Sequence, residues 1–305
     1  MGWRVSLAKT PIASMEASLP KNPGVAPGEK SPLVVELTQP DGKVLVTEGE
    51  GKGKVLWKDL TVTASVVSVS KKGVVSLPRD PRISDGKMGH VTITVPSQPT
   101  LRAELDVPLR YDYDFVANFS GSNGSSGLNG TDGTNGIGGS PGSIDPNTPS
   151  AGGDGSNGGN GSDGQDGGSG GDAPPVQVRM TLRSGSHPLL QVGVSASGSS
   201  RKERFYLVDP QGGSLTVKSD GGSGGSGGKG GRGGRGGSGG MGTPSGRDGS
   251  DGSSGRDGSD GRPGSAGSIT VTYDPQIKPF LAAIHLSNPG GPAPVFKEEA
   301  VAPLW

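Results

Sequence analysis

Three groups of residues in this sequence could carry chemistry: the histidines, a series of Asp-Gly repeats, and a short basic tract. His90, His187 and His285 are far apart and sit in different patterns, which fits unrelated surface or strand histidines better than a shared metal site. The repeats around Asp154, Asp163, Asp166 and Asp251 put carboxylates at regular intervals, as calcium-binding β-rolls do. Those rolls also need an aliphatic residue in each nonapeptide, and residues 152–171 contain none. The tract Gly231-Arg232-Gly233-Gly234-Arg235-Gly236 has the composition of an RNA-binding segment, but no aromatic residues interleave it. Ser226-Gly227-Gly228-Lys229 matches a phosphate loop in composition only, because it lies inside a periodic block and not at a strand-to-helix turn. No Gly-x-Ser-x-Gly elbow, HExxH or Walker loop occurs. The expectation is therefore no catalytic residue, no cofactor and no metal ligand, and a protein that is not an enzyme.

Those residues are mounted on a strict glycine period. Glycine recurs every third residue from Gly121 to Gly142, from Gly152 to Gly170 and from Gly246 to Gly267. A third block, between residues 221 and 242, carries two glycine columns at once; its pairs Gly224/Gly225, Gly227/Gly228, Gly230/Gly231, Gly233/Gly234 and Gly236/Gly237 are the expected packing residues. A period of three matches neither the 3.6-residue helix nor the two-residue strand, and does match the extended three-fold helix that polyglycine and polyproline adopt. Collagen is a poor fit because the X and Y positions of these blocks hold almost no proline beyond Pro141 and Pro263. A flexible Gly/Ser linker is a poor fit because it has no reason to keep its glycines in phase.

On these blocks the chain resembles the polyglycine-II bundle proteins, which include tail-fibre adhesins of T-even-type phages, the snow flea antifreeze protein and collagen-like bacterial surface proteins. The resemblance covers about half the chain. It implies side-by-side glycine helices with the two-column third block innermost, and a role in a fibre, at a surface or in adhesion. The charges of the blocks, acidic in the first two, basic in the third and mixed in the fourth, are expected to favour one register.

The rest of the chain reads as β structure. Residues 1–30 form an extended arm punctuated by Pro11, Pro20, Pro23 and Pro27, with a short strand through Trp3, Val5 and Leu7. Residues 31–120 carry alternating runs and turns such as Pro40-Asp41-Gly42, which predict an immunoglobulin-like β-sandwich. Its last strand runs from Leu101 to Phe115 with one dry and one wet face. Residues 121–172 form a first polyglycine-II hairpin, 173–220 a β insertion, 221–267 a second hairpin, and 268–305 a closing strand and extended tail. The expected fold is thus mainly β with a polyglycine-II helix bundle: an N-terminal immunoglobulin-like sandwich, four Gly-X-X helices in two hairpins, and a small β insertion between them.

Composition narrows the partners. The 305 residues carry 29 basic and 29 acidic side chains, so no net charge draws the protein to nucleic acid or to an acidic membrane. Cysteine is absent, which removes disulfide and thiol chemistry. No apolar run reaches the length of a membrane span, and no secretory leader is read at the start, although Met1-Gly2 and Ser6 match a myristoylation pattern.

The leading expectation is a non-enzymatic structural subunit of an extracellular fibre, appendage or surface assembly, a homo-oligomer or filament whose glycine helices pack within and between subunits. In that reading Phe296, Leu304 and Trp305 form a tail that docks on the chain's own β end or on a neighbouring subunit. The alternative is an adhesin whose distal turns, at Ile144, Asp145, Asn147, Thr243 and Pro244, recognise a cell-surface receptor or glycan. An ice-binding role is a third reading, disfavoured because the outward columns are mainly Ser, Asn, Asp and Arg.

Overall fold

The computed structural model describes residues 6–21, 23–183, 185, 187–198 and 203–305. The expected strand at Trp3 and Val5 and the Met1-Gly2 motif lie outside these residues; Leu7 is buried at the start of a short 3-10 turn, Leu7–Lys9.

The protein is mainly β, and among the described residues the strands form five sheets. One core, holding Leu33, Leu37, Trp57, Ile93 and Val107, gathers three three-stranded sheets from the N-terminal part. In the first, Val34–Thr38 pairs antiparallel with Ser14–Ser18 and with Val44–Val46. The Pro40-Asp41-Gly42 turn closes that second pair, with Gly42 at φ 84° where a side chain would be strained. The chain changes sheets at Val66, whose φ of 66° ends the strand Thr61–Ser65 before Ser68–Val69 enters another sheet.

Two features of this region differ from the expected sandwich. Three small sheets share the core where two facing sheets were expected. The long alternating run also breaks into Gln98–Val107 and Asp114–Asn118, because Pro108 between them has no N–H to continue a ladder.

The second core, around Phe119, Val178, Met180, Val192, Leu215 and Ile277, draws on three stretches of sequence separated by the glycine segments. Its five-stranded sheet runs in the order Arg204–Val208, Leu189–Ala196, Val176–Arg183, Ile269–Tyr273, Val295–Glu298. A three-stranded sheet pairs Ser214–Lys218 in parallel with Asp114–Asn118 and with Ile284–Ser287. Residues 173–220 are therefore not a separate β insertion: their strands are completed by strands from before the first glycine block and after the last.

The polyglycine-II helix bundle is also corrected. The helical elements of the chain are short 3-10 segments, and residues 121–142, 152–171, 221–240 and 246–267 hold neither helix nor strand. These four blocks are extended segments whose hydrogen bonds run sideways, N–H to C=O, from one segment to the next. Glycine permits this because a backbone without side chains can approach another closely enough to bond, and extended chains with no internal bonds must pair outward. The triplet period thus encodes a schedule of lateral hydrogen bonds and no helical element.

The segments inherit their register from the sheets. Asp114–Asn118 pairs with Ser214–Lys218 at a constant offset of 100 residues, and the same parallel alignment continues where Gly121, Gly124 and Gly127 donate to the carbonyls of Asp220, Ser223 and Ser226. Val176–Met180 pairs with Ile269–Tyr273 at an offset of 93, and the second and fourth segments run in the same alignment. Each of these two parallel strand pairs therefore leads into, or receives, a parallel pair of glycine segments.

Candidate functional site

The third segment lies at the centre. Gly225, Gly228, Gly231, Gly234 and Gly237 are buried, and their amides donate to carbonyls of the second segment at 2.8–2.9 Å. A Cβ on any of them would run into a carbonyl of the first segment; one on Gly224, Gly227, Gly230, Gly233 or Gly236 would run into the fourth. The predicted packing glycines are thus divided between two neighbours, and no third glycine column remains on this segment to face another subunit.

Sequence reasoning missed the residues that complete this layer. In the first, second and fourth segments the residue preceding each glycine is commonly Asn or Asp, and its side-chain oxygen accepts a backbone N–H from the adjoining segment. Asn129, Asp132 and Asn135 accept from Lys229, Arg232 and Arg235 at 2.8–2.9 Å. Asp154, Asn157, Asn160, Asp163 and Asp166 accept from residues of the fourth segment. Asp248, Asp251, Asp257 and Asp260 accept from Gly239, Gly236, Gly230 and Gly227. Around Arg232 every amide is consequently used: Gly230 donates to Asp257, Gly231 to the Ser162 carbonyl and Arg232 to Asp132.

This replaces the expected role of charge. Among the described residues no ion pair lies within the segments, and the aspartates act as hydrogen-bond acceptors that asparagine replaces at equivalent positions. The recoverable signal was the recurrence of Asx in one phase of the triplet.

At the far end of the segments two turns join. The first is closed by Ser150 N–H to the Ser143 carbonyl at 3.1 Å and by Ser143 N–H to Ser150 Oγ at 2.7 Å. Within it Asp145 Oδ1 accepts from Asn147 N–H at 2.8 Å, an Asx turn that suits these residue types. The second turn bonds to the first: Gly142 donates to Met241, Thr243 to Ser150, and Gly152 to Pro244. The predicted contact residues Ile144, Asp145, Asn147, Thr243 and Pro244 therefore share one exposed tip. Ile144 and Met241 are each 69% exposed there, and Leu128 and Ile137 project from the first segment behind them.

The tail residues have separate fates. Leu304 N–H donates to Gln191 Oε1 at 3.0 Å, and the Trp305 indole donates to Asp85 Oδ2 at 2.9 Å while meeting Phe205 edge-to-face at 5.8 Å. Both are tied to their own chain, and Trp305 links the second core to the N-terminal sheets. Phe296 lies on the edge strand Val295–Glu298 against Tyr273 and stays 52% exposed.

The histidines are dispersed. His90 bonds Asp106 at 2.8 Å and His187 bonds Asp209 at 2.9 Å, whereas His285 sits on the strand Ile284–Ser287. Among the described residues no three His, Cys, Asp or Glu side chains gather as a metal site, and no helix is long and apolar enough to cross a membrane. Comparison with protein-family models, curated proteins and solved structures finds no match.

Proposed function

We propose that this protein is a non-enzymatic structural component of a surface or fibre assembly, in which the β body is the base, the glycine segments are a spacer and the joined turns are the contact surface. The observation that carries this reading is the tip, where two turns 100 residues apart are hydrogen-bonded into one unit with Ile144 and Met241 held in solvent. Exposed apolar side chains on a rigid frame are a common sign of an interaction surface. The glycine columns are consumed within the chain, which favours recognition at the tip over glycine-mediated packing between subunits.

Immobilised protein probed with panels of intact cells and purified glycans tests the proposal. Capture that falls about tenfold or more in Ile144→Ser/Met241→Ser, with the thermal midpoint unchanged, is expected for loss of two buried apolar contacts. Absence of capture from every panel, or capture undiminished in the variant, refutes it. A second reading, a subunit that polymerises through its sheet edge, rests on the exposed Val295 and Phe296 of the edge strand. Oligomers in light scattering that Val295→Lys disperses favour that reading instead.

A further inference from the structure

A cavity of about 540 Å³ lies between the N-terminal sheets and the second β body, away from the glycine tip. Its lining includes residues of two edge strands, Asp114–Asn118 and Arg204–Val208, and the loops at Gly28 and Arg79. The volume falls within the range of small-ligand sites.

Its lining joins aromatic rings to two arginines, Arg79 and Arg204, and three carboxylates, Asp80, Asp114 and Glu203. Tyr113, Phe115 and Tyr206 form a connected run of rings, with centroids 5.4 and 6.0 Å apart. Phe115 is buried beneath them, and Tyr113 stands 41% exposed at the opening. Burial pushes the Tyr206 phenol above its ordinary pKa, so it remains a neutral hydrogen-bonding group at physiological pH.

The carboxylates that line the cavity are already engaged: Asp80 by Arg82 at 2.6 Å, Glu203 by Arg179 at 2.7 Å, and Asp114 by the Ser214 hydroxyl at 2.7 Å. Arg79 and Arg204 have no carboxylate within 4.0 Å among the described residues. Arg204 lies over the Phe119 ring at 4.8 Å and donates to the Asn118 carbonyl at 3.4 Å. The cavity thus combines guanidinium forks free of acidic partners with the faces of aromatic rings. A planar fork pairs with a carboxylate in bidentate fashion, and an aromatic face stacks on the C–H side of a pyranose ring.

We propose that this cavity binds an acidic saccharide, a uronic or sialic acid residue, with its carboxylate on Arg79 and its ring against Tyr113 and Tyr206. The site is independent of the tip. Isothermal titration with glucuronate and with N-acetylneuraminate tests it, with glucose as the neutral control and benzoate as a ring-bearing acid without hydroxyls. Saturable binding of one acidic sugar is expected, with glucose and benzoate each about tenfold weaker or more. Arg79→Ala and Tyr113→Ala should each weaken it by about tenfold, as loss of a charge-assisted hydrogen bond or a stacking face would.

Both side chains are exposed, so matched melting curves will show that the variants fold. Binding retained in Ile144→Ser/Met241→Ser separates this site from the tip. No saturable binding of either acid, binding of glucose or benzoate at equal strength, or indifference to Arg79→Ala overturns the proposal.

Discussion

Gly231→Ala, set against Gly138→Ala, isolates what one methyl group does in the glycine layer. Gly231 donates to the Ser162 carbonyl at 2.8 Å and accepts from Gly255 N–H at 2.8 Å, so its backbone ties three segments together. A Cβ there collides with the carbonyl of Thr131 and lies 3.0 Å from the Asp132 nitrogen, all backbone atoms that cannot swing aside. The third segment must retreat from the first, stretching the two bonds that join them there, Gly130 N–H to the Lys229 carbonyl and Gly133 N–H to the Arg232 carbonyl, both 2.7 Å. Each contributes about 1 kcal/mol and overpacking adds about 1–3 kcal/mol, so a loss of about 3–5 kcal/mol is expected.

At Gly138 the nearest atom to an added Cβ is the Ser238 carbonyl oxygen at 3.5 Å, an ordinary contact. Alanine there should stabilise by about 0.4–1 kcal/mol, because it restricts the unfolded chain. The assay is urea unfolding followed by tryptophan fluorescence, with hydrogen exchange at the Gly228 and Gly234 amides as a local probe. Equal stability of Gly231→Ala and wild type within about 0.5 kcal/mol, or equal destabilisation by both substitutions, would refute the close-approach argument.

Three further outcomes are expected. Asp163 accepts the Arg256 N–H at 2.7 Å; Asp163→Asn keeps that acceptor and should be near neutral, whereas Asp163→Ala should cost about 0.5–1.5 kcal/mol by denaturant titration. Asp85 meets both Trp305 and Arg183, the latter at 2.7 Å; a Trp305→Phe/Asp85→Asn double-mutant cycle should show a coupling of about 0.5–3 kcal/mol in unfolding free energy, and additivity would deny that Trp305 takes part in the tie between the two β bodies. The Asp80 carboxyl is held below its ordinary pKa, first by its side-chain hydrogen bond to Arg82. A depressed folded pKa gives stability that is present above the unfolded value, about 3.9, and is lost as pH falls through the folded one. Carbon-detected NMR should therefore place the Asp80 midpoint below the ordinary value, and Arg82→Ala should move it back up.

Much of the chain's layout was legible locally. The glycine phase, the turns at Pro40-Asp41-Gly42 and Asp145, and the alternation in Val176–Arg183 are properties of neighbouring residues, and each appears as a lateral bond, a turn or a strand. The Leu101–Phe115 run was harder, because its alternation continues through Pro108 even though the missing N–H there ends the strand. The tip was readable as two turns, but their union was not, since nothing within either turn says that Thr243 will donate to Ser150.

The sequence by itself determined the period, and the period determined where backbones could meet, because only residues without a Cβ admit a carbonyl at bonding distance. Tertiary structure alone decided which segments meet. Parallel strand pairs at offsets of 100 and 93 residues set the order and register of the glycine layer. The same long-range packing brought Arg79 and Arg204 to one cavity and set Trp305 edge-to-face on Phe205. Contacts of that kind depend on how distant elements pack, and no local pattern of residue types records them.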